Sequence, residues 1–339
     1  MAKLRIPKPI SGGILLSYEC SSECRHCMYA CSPRWRDDWI SEEDLEEILV
    51  QLSGKIKGSL YGSSTVGLNS GLHFTGGEPF LNFDLLLKGV EKAHELGIPS
   101  TFVETNCFWC TGEKTTKEKL IQLRDVGLDG LLISVNPFIL EQIPFERTQR
   151  AIEVGEKIFG RNLMVYQEIF HHQFKRLRLE SSMRFEDYVK SDPSCLKYAE
   201  LIPMGRVPYK LGYLYKKYPA RQFFGGSCRG ELARDWHVHV DNYCNYMTGY
   251  CGGITLGDAR DLNSLCSEGV NLEEHPILNA LVADLQRLYE FGAREFDYKE
   301  ISEGYVSKCH LCVDIRKHIA EKTDEFKELS PREFYFHLT

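Results

Sequence analysis

The sequence predicts an α/β protein, a partial (β/α)6 barrel of the TIM type followed by a small cysteine-bearing C-terminal domain, and three features predict it. Short apolar runs alternate with longer amphipathic ones through the first two-thirds of the chain, the rhythm of strand–helix units around a parallel sheet. Cysteines gather in tight groups toward the two ends. With 43% hydrophobic and 26% charged residues, a chain of 339 residues holds enough apolar surface for one large core or two smaller ones.

Strands are expected near Gly13–Tyr18, Leu72–Thr75, Ser100–Glu104, Gly130–Val135, Leu163–Glu168 and Tyr198–Pro203. Between them the apolar period is helical over Ser41–Leu52, Phe83–Leu96, Lys117–Val126 and Glu146–Phe159, with Ser41 as N-cap and Asp44 three residues on. Strands so arranged carry their chemistry on the loops after their C-terminal ends. The stretch Lys55–Ser70, rich in Gly and Ser, reads as an insertion that helps to shape a substrate pocket. Around Lys210–Gly226 the pattern turns to Tyr, Lys and Gly, so a core is expected over 1–210, a linker over 211–226 and a second domain over 227–339.

Net charge is −7, from 48 acidic and 41 basic residues, and basic runs such as Lys175–Arg178 are short, which disfavours nucleic acid as a partner. No apolar stretch approaches the roughly 20 residues that span a bilayer, and Met1–Ile10 lacks the apolar segment of a signal peptide; no membrane partner and a cytoplasmic location are expected. The thirteen cysteines then point to metal or cluster ligation before a disulfide framework.

Cys20, Cys24 and Cys27 follow the first strand at spacings of four and three. Such a loop can fold three sulfurs around three corners of a cubane cluster and leave the fourth iron open to a small molecule. The competing reading is a structural zinc loop, which closes with a fourth thiolate or imidazole, and Cys31 is available for that. Near the C-terminus, Cys228, Cys244, Cys309 and Cys312 make a complete set for one cluster, and four-cysteine zinc has the same ligand count. Cys251 lies close enough in sequence to replace one of them.

The first loop resembles the Cys-x3-Cys-x2-Cys signature of the radical S-adenosylmethionine (radical SAM) superfamily, in which the open iron of a 4Fe-4S cluster binds the amino and carboxylate groups of SAM. By that resemblance His26 packs beside the adenine. Thr75-Gly76-Gly77-Glu78-Pro79 is similar to the family's Gly-Gly-Glu-Pro motif, which receives the methionine amino group. The residue types suit the role: two glycines permit close backbone approach, Glu78 can accept from an ammonium and Pro79 stiffens the turn. Glu104-Thr105-Asn106 and Ser134-Val135-Asn136 resemble further SAM-facing strand ends, as do Glu168 and Met204 in the run 202–206. Each of these taken singly also reads as a strand-end cap.

The C-terminal cysteines are similar to the auxiliary-cluster domains called SPASM and, in shortened form, twitch. Nothing after Cys312 supplies the remaining SPASM ligands, so one auxiliary 4Fe-4S cluster is implied. The resemblance implies reductive cleavage of SAM to a 5′-deoxyadenosyl radical, abstraction of a substrate hydrogen atom, and an electron donor such as flavodoxin or ferredoxin. With the auxiliary cluster as electron acceptor the outcome is oxidation. Epimerisation would instead need a thiol hydrogen donor, for which Cys107 and Cys110, just past a strand end, are candidates beside a plain structural role. Modification of a peptide is a third outcome, so the substrate is a small molecule or a peptide. From a different class, an iron-sulfur electron carrier or a zinc module has no use for the Gly-Gly-Glu-Pro motif.

Overall fold

Five of the six apolar runs become parallel strands in a computed structural model that describes residues 2–199 and 201–339. Contacts divide the chain into two units, one of Ile10–Cys24 and Cys31–Glu200, the other of Met1–Pro9, Arg25–Ala30 and Leu201–Thr339. After a two-residue strand β1 (Lys3–Leu4), the first unit takes up β2 (Ser11–Leu15), β3 (Gly71–Thr75), β4 (Phe102–Thr105), β5 (Gly130–Ser134) and β6 (Leu163–Tyr166). These five lie side by side in chain order, each parallel to the next. Leu15 stands opposite Thr75, Thr105 opposite Ile133 and Ser134 opposite Tyr166, so the C-terminal ends share one edge. Every residue of β2 and β3 is buried, the pattern of a parallel strand covered on both faces.

The helices α1 (Glu42–Leu52), α2 (Phe83–Glu95), α3 (Glu113–Asp125), α4 (Pro137–Leu140) and α5 (Phe145–Phe159) fall between these strands. Ser41 caps α1 as its position predicts, its Oγ accepting from the Asp44 N–H at 3.0 Å, and Leu45, Ile48, Leu49 and Leu52 form the buried stripe. Helix α3 begins at Glu113 and not at Lys117, because Gly112 supplies the extended N-cap and Thr116 bonds its hydroxyl back to the Gly112 carbonyl at 2.8 Å.

Three expectations are corrected here. The fifth strand stops at Tyr166, and Glu168 opens helix α6 (Glu168–Arg176), which also carries His171 and His172. The sixth strand, Tyr198–Pro203, does not form among its described residues; Tyr198 is half exposed and Glu200 lies outside the described residues. Local turns take up the backbone instead, Tyr198 N–H donating to the Cys195 carbonyl at 3.1 Å and Met204 N–H to the Ile202 carbonyl at 2.8 Å. Third, the 55–70 insertion packs at the N-terminal edge of the sheet. Lys57 N–H donates to the Ile10 carbonyl at 2.8 Å, Ser100 Oγ to the Ser63 carbonyl at 2.9 Å, and Asn162 Nδ2 to the Ser64 carbonyl at 2.6 Å. Those partners directly precede β2, β4 and β6, at the edge opposite the cysteine loop, so within this unit the insertion does not adjoin the C-terminal loops.

In the second unit β7 (Val238–Val240) and β8 (Tyr246–Thr248) form an antiparallel hairpin, and β1 pairs with β9 (Val270–Asn271). Helices Pro276–Ala283, Leu285–Phe296 and Lys308–Lys322 follow, packed in succession around Leu288, Leu311, Ile315 and Ile319. Ser307 caps the last of them, its Oγ accepting from the His310 N–H at 3.0 Å. Among the described residues no helix is long and apolar enough to cross a membrane.

Candidate functional site

In the first unit the loops after β2, β3 and β4 are tied together by short polar contacts. Gly76, at φ +125°, stands where an added Cβ would lie 2.3 Å from the Ser17 carbonyl oxygen, and a Cβ on Gly77 would lie 1.8 Å from the Glu19 oxygen and 2.9 Å from the Cys20 nitrogen. Only residues without a Cβ let the backbones approach so closely. The approach is sealed by Gly77 N–H donating to the Ser17 carbonyl at 2.8 Å and Glu78 N–H to the Glu19 carbonyl at 3.0 Å. Cys20 and Cys24 are nearly buried beside this seam.

Glu78 turns inward. Its carboxylate accepts from the Asn106 N–H at 2.8 Å, the Thr105 hydroxyl at 2.9 Å and the Phe80 N–H at 3.3 Å, while burial pushes its pKa up to about 7. An acceptor for an ammonium was the sequence expectation; in this fold the carboxylate joins the Gly-Gly-Glu-Pro loop to the loop after β4. Pro79, buried, opens the short 3-10 turn Pro79–Asn82. Asn106 extends the connection by donating Nδ2 to Ser21 Oγ at 3.0 Å and to Cys20 Sγ at 3.6 Å. Glu104 accepts from the Thr75 hydroxyl at 2.7 Å, and burial raises its pKa.

Cys107 and Cys110 are fully buried and hydrogen-bonded to each other. Burial, then the neighbouring thiol, pushes the Cys107 pKa well up, so Cys107 is held as a thiol. Trp109, between the two cysteines in sequence and buried, donates Nε1 to Thr105 Oγ1 at 3.0 Å and stacks on Phe80 at 4.0 Å. Asn136 takes the capping role: its Oδ1 accepts from the Phe138 and Ile139 N–H groups, each at 3.0 Å, with Pro137 in the first turn of α4. Ser134 ends β5 partly exposed. Glu168 is set apart from these residues, its side chain 72% exposed on α6 and paired with His172 at 3.4 Å.

The second unit holds His26, Cys27 and Met204. Gly205, at φ +55°, presses its turn onto the Cys27–Met28 backbone, where a Cβ would lie 2.4 Å from the Met28 oxygen and 2.6 Å from the Cys27 oxygen. Arg206 N–H donates to the Cys27 carbonyl at 3.1 Å, and its buried guanidinium donates to the Ala30 carbonyl at 2.7 Å and the His337 carbonyl at 2.9 Å. Burial, then the Arg206 charge, lowers the His26 pKa to about 4, so its ring is neutral at neutral pH. Arg206, which closes the run 202–206 marked by the resemblance as SAM-contacting, organises this turn through backbone carbonyls, a role the resemblance did not give it.

Four thiols meet in the same unit: Cys228, Cys251, Cys309 and Cys312 act electrostatically on one another. Burial pushes Cys251 and Cys309 up to about 12; the neighbouring thiols add to this in both, while the Arg316 charge opposes it, most strongly at Cys251. Cys251 thus takes the place expected of Cys244. The latter sits at φ +64° in the turn after β7, its N–H on the Asp241 carbonyl at 2.9 Å, while Asp241 Oδ1 accepts from Tyr243 and Asn245. That turn reverses the chain, and Cys251 follows the returning strand β8. Among the described residues no three of these sulfurs lie within 4.8 Å of one another. Four cysteine sulfurs are a complete ligand set for one cubane cluster, as they are for zinc. The donor set fits a 4Fe-4S cluster.

Comparison with known proteins adds the following. Residues 13–150, which include Cys20, Cys24 and Cys27, match the family model of a 4Fe-4S single cluster domain. No curated protein sequence matches the chain. Among solved structures the chain is similar to BtrN in complex with AdoMet and 2-DOIA, at 12% identity and a TM-score of 0.42, covering 82% of this chain and 88% of that one. It is also similar to anSMEcpe with bound AdoMet and the Cp18Cys peptide, at 14% identity and a TM-score of 0.43, covering 93% of this chain and 98% of that one. The segment 13–150 thus carries the pattern of a domain built around one 4Fe-4S cluster.

Proposed function

We propose that this chain is a radical SAM enzyme with two clusters, the first held by Cys20, Cys24 and Cys27, the second by Cys228, Cys251, Cys309 and Cys312. The observation that carries the reading is the seam between the cysteine loop and the Gly-Gly-Glu-Pro loop, where Gly76 and Gly77 lie against Ser17, Glu19 and Cys20. An electron carrier or a zinc module has no use for the Gly-Gly-Glu-Pro motif that forms one side of it. When bound, the first cluster and SAM supply a 5′-deoxyadenosyl radical that takes a hydrogen atom from substrate. Glu78 acts by locking Thr105 and Asn106 in place, and Asn106 by donating to Cys20 Sγ. His26, neutral, offers a flat ring to adenine. Five parallel strands in chain order support a barrel-like arc as the radical SAM core.

The reaction is read as oxidation of a small molecule or peptide in the cytoplasm, in which a cluster held by Cys228, Cys251, Cys309 and Cys312 would serve as electron acceptor and flavodoxin or ferredoxin would be the electron donor. One observation favours epimerisation as the second reading: burial keeps Cys107 protonated, the form from which a hydrogen atom is donated. The test is anaerobic reconstitution followed by dithionite and SAM. Formation of 5′-deoxyadenosine by the wild type and its loss in Cys24→Ala are expected; equal turnover by both rejects the proposal. Deuterium moving from a labelled substrate into 5′-deoxyadenosine identifies the attacked position, and solvent deuterium entering the product separates epimerisation from oxidation.

A further inference from the structure

We infer that Arg316 is the internal counter-cation of the four-cysteine centre and holds its reduction potential up. The inference rests on the reading of Cys228, Cys251, Cys309 and Cys312 as cluster ligands. Helix Lys308–Lys322 places Cys309, Cys312 and Arg316 at successive spacings of three and four, hence on one face. The guanidinium is 2% exposed. Its Nη1 donates to the carbonyl of Gly252, the neighbour of Cys251, at 3.1 Å and to the Tyr335 hydroxyl at 2.7 Å. It is also hydrogen-bonded to Cys312, and its Nε is buried without a partner.

Among the described residues no carboxylate forms an ion pair with this guanidinium; the groups that act on it most are Tyr335, Cys312 and Cys251. A permanent cation buried against a carbonyl, a phenol and thiols is an unfavourable arrangement. It becomes favourable when those thiols are metal-bound thiolates, because four of them around a cubane core carry net negative charge that grows on reduction. A neutral amide could serve the Gly252 carbonyl and the Tyr335 hydroxyl equally well, so hydrogen bonding alone does not explain an arginine. Lys308 offers the contrast. It is bonded to Cys228 and donates to the Ser227 carbonyl at 2.9 Å, but it is partly exposed, where solvent and salt screen its charge.

The experiment compares the anaerobically reconstituted full chain with its Arg316→Met, Arg316→Lys and Lys308→Gln variants. Iron and sulfide are counted, and both midpoints are followed by electron paramagnetic resonance during a potentiometric titration. Arg316→Met is expected to lower one midpoint by about tenfold in the reduction equilibrium, about 59 mV for one electron, and to leave the other in place. Arg316→Lys recovers most of that shift, and Lys308→Gln moves it less. Unchanged midpoints in Arg316→Met, or an Arg316→Lys midpoint as low as that of Arg316→Met, overturn the inference. Should Arg316→Met shed four irons, retention by Arg316→Lys supports it, and loss by both with unchanged circular dichroism overturns it. A wild type holding only about four irons removes the four-cysteine reading itself, an outcome visible before any variant is made.

Discussion

Replacing Gly77 with Ala tests the seam on which the site is built. The new Cβ would stand 1.8 Å from the Glu19 oxygen, and no rotamer can relieve the clash because both partners are backbone. To reach an ordinary contact the loops must part by more than about 1 Å. That would stretch the two bonds that join them, Gly77 N–H to Ser17 at 2.8 Å and Glu78 N–H to Glu19 at 3.0 Å. Losing both costs about 2 kcal/mol, and the overpacking itself about 1–3 kcal/mol. The total, about 3–5 kcal/mol, is large beside the stability of a domain. The expected result is a lower Tm by calorimetry, reduced iron at the first cluster after reconstitution, and at least a tenfold loss of 5′-deoxyadenosine formation. Gly112→Ala is the control, because nothing lies within 4 Å of the Cβ it would add and its φ of −156° suits any residue. Wild-type iron content and SAM cleavage in Gly77→Ala would refute the reasoning, since the two loops would then not need to touch.

Cys251→Ser is expected to lower the iron count by about four while Cys244→Ser leaves it unchanged; colorimetric iron and sulfide assays read both. Glu78 makes stability depend on pH. Its folded pKa of about 7 lies above the ordinary 4.5, so the stability that this group contributes is present below 4.5 and is lost as pH rises through 7. Urea unfolding at pH 4.5 and 7.5 should show the wild type losing about 3 kcal/mol relative to Glu78→Gln; parallel profiles would contradict it. Asn136→Ala removes the cap of α4 and should cost ~1 kcal/mol in urea unfolding, with Asn136→Ser recovering most of it.

The sequence made legible what is local. Ser41 and its helix and the parallel strands through β6 were readable from period, cap and turn residues within a short window. Choices set by distant partners were not readable. Cys244 and Cys251 are both cysteines beside short strands, and only the direction of the turn held by Asp241 decides which meets Cys228. Glu168 follows an apolar run that reads equally as strand or as the start of a helix, and burial resolves such cases only in three dimensions.

The glycine pair shows how a motif is legible in position and silent in purpose. Close backbone approach was foreseen at Gly76 and Gly77 with a ligand as the reason, yet the backbone they approach is that of Ser17–Cys20. Glu78 follows the same logic, since its three donors come from Phe80, Thr105 and Asn106 within the protein. The motif therefore acts on the cysteine loop before it acts on any cofactor. It ties the loop after β3 to the loops after β2 and β4 and brings Asn106 within reach of Cys20 Sγ at 3.6 Å. A substitution that loosens this junction should disturb cluster retention and SAM cleavage together, whereas one confined to a SAM-facing side chain should disturb cleavage with the iron count intact.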